Sequence, residues 1–130
     1  MKTEKRVLII NDGTDSIVSI SAKIKSALKG CDLLVKAACD FEGTDLLPAG
    51  VLFLGCENPS PKTFRYLKNL LNHINLAGRS CGVFTLSSEP SAKYLRNLVK
   101  DTDITLHPDV LYGTEGLKDW VKQVVHGGKA

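Results

Sequence analysis

RVLIINDGTDSIVSISAKI, residues 6–24, is the stretch whose reading decides the fold. Val7, Leu8, Ile9 and Ile10 form an unbroken apolar run rich in β-branched residues, the pattern of a strand covered on both faces. The run stops at a polar turn, Asn11, Asp12, Gly13, Thr14, Asp15 and Ser16. Beyond it Ile17, Ile20, Ile24 and Leu28 recur at helical spacing, so one stripe of the next element packs back onto the sheet. Strand, short turn and helix in that order open a βαβ unit, and the N–H groups at the helix start can receive an anion.

Outward from this stretch the same alternation repeats. Gly30 supplies a helix stop, and a second strand is expected from Cys31 through Leu33, Leu34 and Val35 to about Ala38. Residues 39–50 have room for a short helix at most. Val51, Leu52, Phe53 and Leu54 make a third strand, apolar on both faces like the first, running into GCENPSP, a turn dense in Gly, Asn, Pro and Ser. Phe64, Leu67, Leu70, Leu71 and Ile74 predict a helix ending near Gly78. A fourth strand is expected over residues 81–86, and Ser88 is the expected N-cap of a helix carrying Tyr94, Leu95, Leu98 and Val99. Two short strand pieces, residues 104–106 and 110–112, flank Pro108, which confines them to an edge. A last helix from Thr114 presents Leu117, Trp120, Val121, Val124 and Val125, and the HGGKA tail should fray.

Strands alternating with helices, without repeat or linker, read as a single α/β domain over residues 1–130. Its architecture is a three-layer, doubly wound sheet of five parallel strands in the order 2-1-3-4-5. The first and third strands then flank the switch point, where the strand order reverses. Three polar turns, residues 11–16, 55–61 and 87–89, share the edge where ligands of such sheets bind.

Composition narrows the class. Hydrophobic residues make up 43% and charged residues 24% of the 130 residues, so a folded core is expected. The formal net charge of +3 is too mild and too evenly spread to imply nucleic acid. MKTEKR leads into too short an apolar run for a signal peptide, and no segment spans a bilayer, so no membrane role is expected. Cys31, Cys39, Cys56 and Cys81 show no C-x-x-C pair or zinc spacing, which fits a reduced, cytoplasmic setting. Beside Glu57, Cys56 should have a raised pKa, against a reactive role, and reads as a small filler facing the ligand. Asp12 invites comparison with phospho-acceptor receiver domains. Those need an aspartate and a lysine where this chain has Gly55-Cys56 and His107-Pro108. His73, His107 and His126 have no visible partner cluster. No Ser/His/Asp arrangement, paired carboxylates or lysine-bearing P-loop appears, so nothing in the residues marks a stand-alone enzyme.

Over nearly its full length the chain resembles the flavodoxins. The resemblance is carried by the first strand and its Thr/Ser/Gly-bearing turn, by AGVLFLGCENPSPKTFRYLKNL, and by the split TLHPDVLYG before the final helix. It implies non-covalent binding of flavin mononucleotide (FMN), electron transfer, and a redox partner protein; oligomeric state stays open. The implied cofactor-binding residues are Asn11, Gly13, Thr14, Asp15 and Ser16 in the first turn, Cys56, Glu57, Asn58 and Pro59 in the second, and Ser87 and Ser88 in the third. The chain departs from the family's pattern in two places. Its phosphate turn reads NDGTDS, with Asp15 where the family has glycine, and its other two loops contain no aromatic residue. Tyr66 and Tyr112 lie nearby on elements whose apolar pattern indicates packing. The alternative is a flavodoxin-like binding or scaffold module that has lost the flavin.

Overall fold

A computed structural model describes residues 6–28, 32–38, 40, 42–46, 49–57, 62–100 and 102–125. Strand β1, Arg6–Asn11, is buried at every position but the first. It pairs in parallel with β2, Leu33–Ala37, on one side and with β3, Ala49–Gly55, on the other. Strand β4, Ser80–Thr85, follows β3, and two short strands, β5 (Thr105–Leu106) and β6 (Leu111–Tyr112), share its outer side, again parallel. The order β2-β1-β3-β4-β5 is the one expected, with the last strand split around Pro108.

Among the described residues five helices complete the layers: α1 Asp15–Ala27, α2 Gly43–Leu46, α3 Arg65–Leu71 after a 3-10 turn at Lys62–Phe64, α4 Glu89–Val99 and α5 Leu117–Val125. The unbroken apolar run of β1 now has its reason. Val7 and Ile9 enter the core under α1 and α5 with Phe53, Phe84 and Trp120. Leu8 and Ile10 enter the opposite core with Leu52, Leu54, Phe64 and Leu95. Alternate side chains feed alternate faces, and both faces are covered.

Two strand glycines allow close approach. A Cβ on Gly55 would run into the Phe84 ring, and one on Gly82 would lie 2.7 Å from Val124 and 2.8 Å from Trp120. His107, buried, belongs to a knot closing the turn between β5 and β6. Its Nδ1 accepts the Asp109 N–H at 3.0 Å, its Nε2 lies 2.8 Å from Gln123 Oε1, and Trp120 Nε1 donates to the Asp109 carbonyl at 2.9 Å. This is a packing role, as expected for an unclustered histidine.

Several boundaries move. Helix α3 stops at Leu71 rather than near Gly78, because Asn72 Nδ2 donates to the Lys68 carbonyl and Asn75 Oδ1 takes the Ala77 N–H, drawing the backbone out of the helix. Helix α5 begins at Leu117 rather than Thr114; Gly113 and Gly116 both stand at φ +73°, which sets a turn in between. Strand β4 ends at Thr85, leaving Leu86 exposed. Gly30, Cys31 and the tail, residues 126–130, lie outside the described residues. Among those described, no helix is long and apolar enough to cross a membrane.

Candidate functional site

The described parts of the three polar turns, with Glu57 standing for the second, meet at the carboxyl edge of β1, β3 and β4, joined by hydrogen bonds. These start in the first turn. Asn11, buried at the end of β1, uses Oδ1 to accept the Gly13 N–H at 3.0 Å, and its carbonyl accepts the Ala38 N–H at 2.8 Å. Gly13 then turns the chain at φ +83° with open space around it.

Thr14 sits at the N-cap position of α1 in extended conformation, but its side chain makes no capping bond to the helix. Its hydroxyl donates to Asp12 Oδ1 at 2.7 Å, and its N–H donates to the same oxygen at 3.1 Å. The other Asp12 oxygen, Oδ2, accepts the Glu57 N–H at 2.8 Å, across from β1 to the loop after β3. Asp12 therefore holds two loops together. Asp15 is the first helical residue, exposed, where its charge suits the positive end of the α1 dipole. Ser16 is half-buried in the same turn.

Glu57 carries the chain onward. Its Oε1 accepts the Thr85 hydroxyl and the Leu86 N–H, both at 3.0 Å, and its carbonyl accepts the Ser91 hydroxyl at 2.8 Å. Ser88 caps α4 as expected, with its Oγ accepting the Ser91 N–H at 3.2 Å and its hydroxyl donating to Ser91 Oγ at 2.8 Å. Ser87 is exposed beside it. Asn58 and Pro59 lie outside the described residues.

Cys56 requires a correction. Its side chain is fully buried in the core with Leu8, Ile10 and Leu95, so it lines no crevice. The inward turn follows from strand alternation: residue 56 continues β3 into the α3/α4 face. Burial, the Asp12 charge and the Glu57 charge push its thiol up to about 12, against a smaller opposing effect of a hydrogen bond with Ser91. The Glu57 effect was legible but is the smallest of these; burial and the Asp12 charge lead.

Tyr66 and Tyr112, expected to pack, are instead 48% and 41% exposed. Tyr112 donates its hydroxyl to Glu89 Oε1 at 2.8 Å. The cavity beside it, lined by Glu89, Lys93, Arg96 and Val110, is about 210 Å³, below the roughly 300–1,000 Å³ of ordinary ligand pockets.

Sequence reading missed Thr85 and Ser91 as members of the edge network and the bridging role of Asp12. An Asp two residues before a Thr is a readable local turn. The bonds from Glu57 to Thr85 and Ser91 join residues far apart in sequence and left no such signal. Charge is also less even than composition implied. The segments leaving the strands' carboxyl ends, counted to the first α-helical residue, carry Asp12, Asp15, Asp40, Glu42, Glu57, Glu89 and Glu115, against Lys62 and Arg65 among their described residues. Arg6, Arg79 and Lys100 stand at the opposite edge with Asp32, which pairs with Arg6 at 2.7 Å, and Asp103.

The donor set can be tested against the phosphate of a flavin nucleotide. Thr14 N–H, Thr14 O–H and Glu57 N–H all donate to the Asp12 carboxylate, so these donors are arranged about one internal anion. The residues fit an anion, provided that Asp12 yields the place.

No protein-family model matches this sequence, and a search of curated proteins finds no relative. Solved structures do match. A short-chain flavodoxin associated with a non-canonical PDU bacterial microcompartment superposes with TM-score 0.81 at 11% identity, covering 98% of this chain and 100% of the other. Flavodoxin 2 from Bacillus cereus gives 0.78 at 17% identity, covering 93% and 98%. A Fusobacterium nucleatum flavodoxin bound to flavin mononucleotide gives 0.73 at 13% identity, covering 94% and 97%. Together with the strand order, these likenesses establish that the chain has the flavodoxin-like fold.

Proposed function

We propose that this protein takes flavin mononucleotide at the carboxyl edge of its sheet and serves as a small electron carrier or accessory electron-transfer domain. The observation that carries this reading is the convergence of donors from two loops on one anion at the switch point. The Fusobacterium nucleatum neighbour, which is bound to flavin mononucleotide, adds support at the level of fold. When bound, the flavin supplies a ring system that accepts and returns electrons; the chain's own residues bind and orient it. Thr14 and the N–H groups at the start of α1 are the candidates for the phosphate. Gly13, exposed and with open space where a Cβ would stand, would let a ligand approach the backbone closely. Exposed Leu86 and Tyr112, at the carboxyl ends of β4 and β6, would be apolar surface available to the ring.

A second reading is favoured by a specific observation. The Asp12 and Glu57 carboxylates satisfy the donors of Thr14, Glu57, Thr85 and Leu86 from within the chain, as a binding or scaffold module that has lost the flavin would require. Fluorescence titration separates the two. The flavin reading expects quenching by flavin mononucleotide with a Kd of roughly micromolar order, and clearly weaker binding of riboflavin, which lacks the phosphate. Equal affinity for both overturns the phosphate assignment, and binding of neither establishes the module reading in its place.

A further inference from the structure

We infer that the outer edge of β2 is a self-association site, where a second copy of this chain lays its own β2 antiparallel and joins the two sheets into one. Strand β2 ends the sheet order, and among the described residues it pairs with β1 alone. The direction of its backbone groups follows from the bonds at its two ends. The Asp32 carbonyl accepts the Val7 N–H, and the Ala38 N–H donates to the Asn11 carbonyl, both at 2.8 Å. A parallel ladder uses alternate residues, so even positions of β2 face β1 while the N–H and C=O groups of Leu33 and Val35 point outward. No described residue bonds these four groups. An edge of this kind is a template for another strand.

Side chains choose the occupant and the register. Leu33 and Val35 pack toward the α1/α5 core and Leu34 toward the other, so Asp32, Leu34 and Lys36 share one face. An antiparallel copy that sets Leu33 opposite Val35 uses all four outward groups in two bonded pairs. The same register sets Leu34 against Leu34 and, twice over, Asp32 opposite Lys36. Directly opposite residues of unlike charge stabilise such a pair. A slip of two residues sets a charge against Leu34, and a slip of four sets like charges together. Asp32 has the capacity for this contact. Arg6 takes only its Oδ2, at 2.8 Å from Nε and 2.7 Å from a terminal nitrogen, and Lys36 makes no ion pair among the described residues. A lysine alone on an edge strand is an ordinary guard against pairing. An aspartate four residues earlier on the same face makes the edge complementary to itself, which selects a second copy over an unrelated strand. The two-fold axis through Leu34 closes the assembly at two chains. So short a contact lies at the small end of interfaces, and association is weak and concentration-dependent. The inference does not rest on the flavin reading, because the outer edge of β2 lies beyond the β1/β3 switch point.

Sedimentation equilibrium of the full chain, up to about 1 mM, tests this. The average mass should rise with concentration from the 14.1 kDa of one chain toward that of two. Lys36→Glu and Asp32→Lys each place like charges opposite in a pair of identical copies, so each alone should stay monomeric where the wild type is half associated. Mixed one to one, the two variants are complementary at both ends, and the dimer should return. Val35→Pro removes an outward N–H without touching the ladder to β1 and should abolish association; circular dichroism checks that each variant is folded. If Asp32→Lys fails to fold without its Arg6 partner, Lys36→Glu and Val35→Pro still decide. A wild type that stays monomeric throughout overturns the inference. So does a dimer that survives Lys36→Glu or Val35→Pro, which uses another face, and so does a mixture of folded charge variants that fails to associate.

Discussion

Cys56 and Cys81 show how much a single position depends on which face of a strand it joins. Both are fully buried, and burial pushes each thiol from an ordinary 9.0 up to about 12. The native state therefore holds protons that the unfolded chain has released between about pH 9 and about pH 12, so stability is complete below that window and falls as pH rises through it. Urea midpoints measured near pH 8 and near pH 10.5 should drop more in the wild type than in a Cys56→Ala, Cys81→Ala double variant. Equal drops would show that the thiols contribute nothing to alkaline unfolding. At this scale the sequence was half legible. The carboxylate beside Cys56 could be read from Glu57, whereas its burial follows from residue 56 continuing the alternation of Leu52 and Leu54 into the α3/α4 core, past the apolar run that marked the strand.

Helix starts carry the next level of argument. Sequence periodicity located α1 and α4 closely because capping is local: Ser88 lies three residues before the Ser91 whose N–H it takes. It placed the ends of α3 and α5 less well, since side chains of Asn72 and Asn75 and a glycine at positive φ override the apolar stripe. At the α1 start, Asp15 makes no capping bond and acts through its charge on the helix dipole. Asp15→Asn should cost about 0.3–1 kcal/mol of urea stability. It should also tighten flavin mononucleotide binding, because it removes a like charge from the phosphate's approach. Unchanged or weaker binding would place Asp15 clear of the phosphate.

Across the whole molecule, strand order and layering were legible because they rest on long-period patterns, two doubly buried strands and a proline-split edge. The polarity of charge was not, because it emerges only when the chain is wound: loops far apart in sequence bring Asp12, Asp40, Glu57, Glu89 and Glu115 to one edge of a protein whose net charge is +3. A redox partner meeting that edge should therefore present basic groups, the opposite of what net charge alone implies. The same field acts on the cofactor. Its phosphate approaches an edge of like charge, and the repulsion reaches about 30 Å at 0.01 M ionic strength but only about 8 Å at 0.15 M. Raising salt over that range should strengthen flavin mononucleotide binding by a few-fold, whereas an ordinary cationic phosphate site would weaken. Riboflavin, uncharged at the relevant end, should be indifferent. Asp12→Asn should lessen the salt effect by removing the nearest charge, leaving the part due to the surrounding carboxylates. Weakening of the nucleotide complex with salt would mean that cations, not the acidic edge, dominate the field at the site.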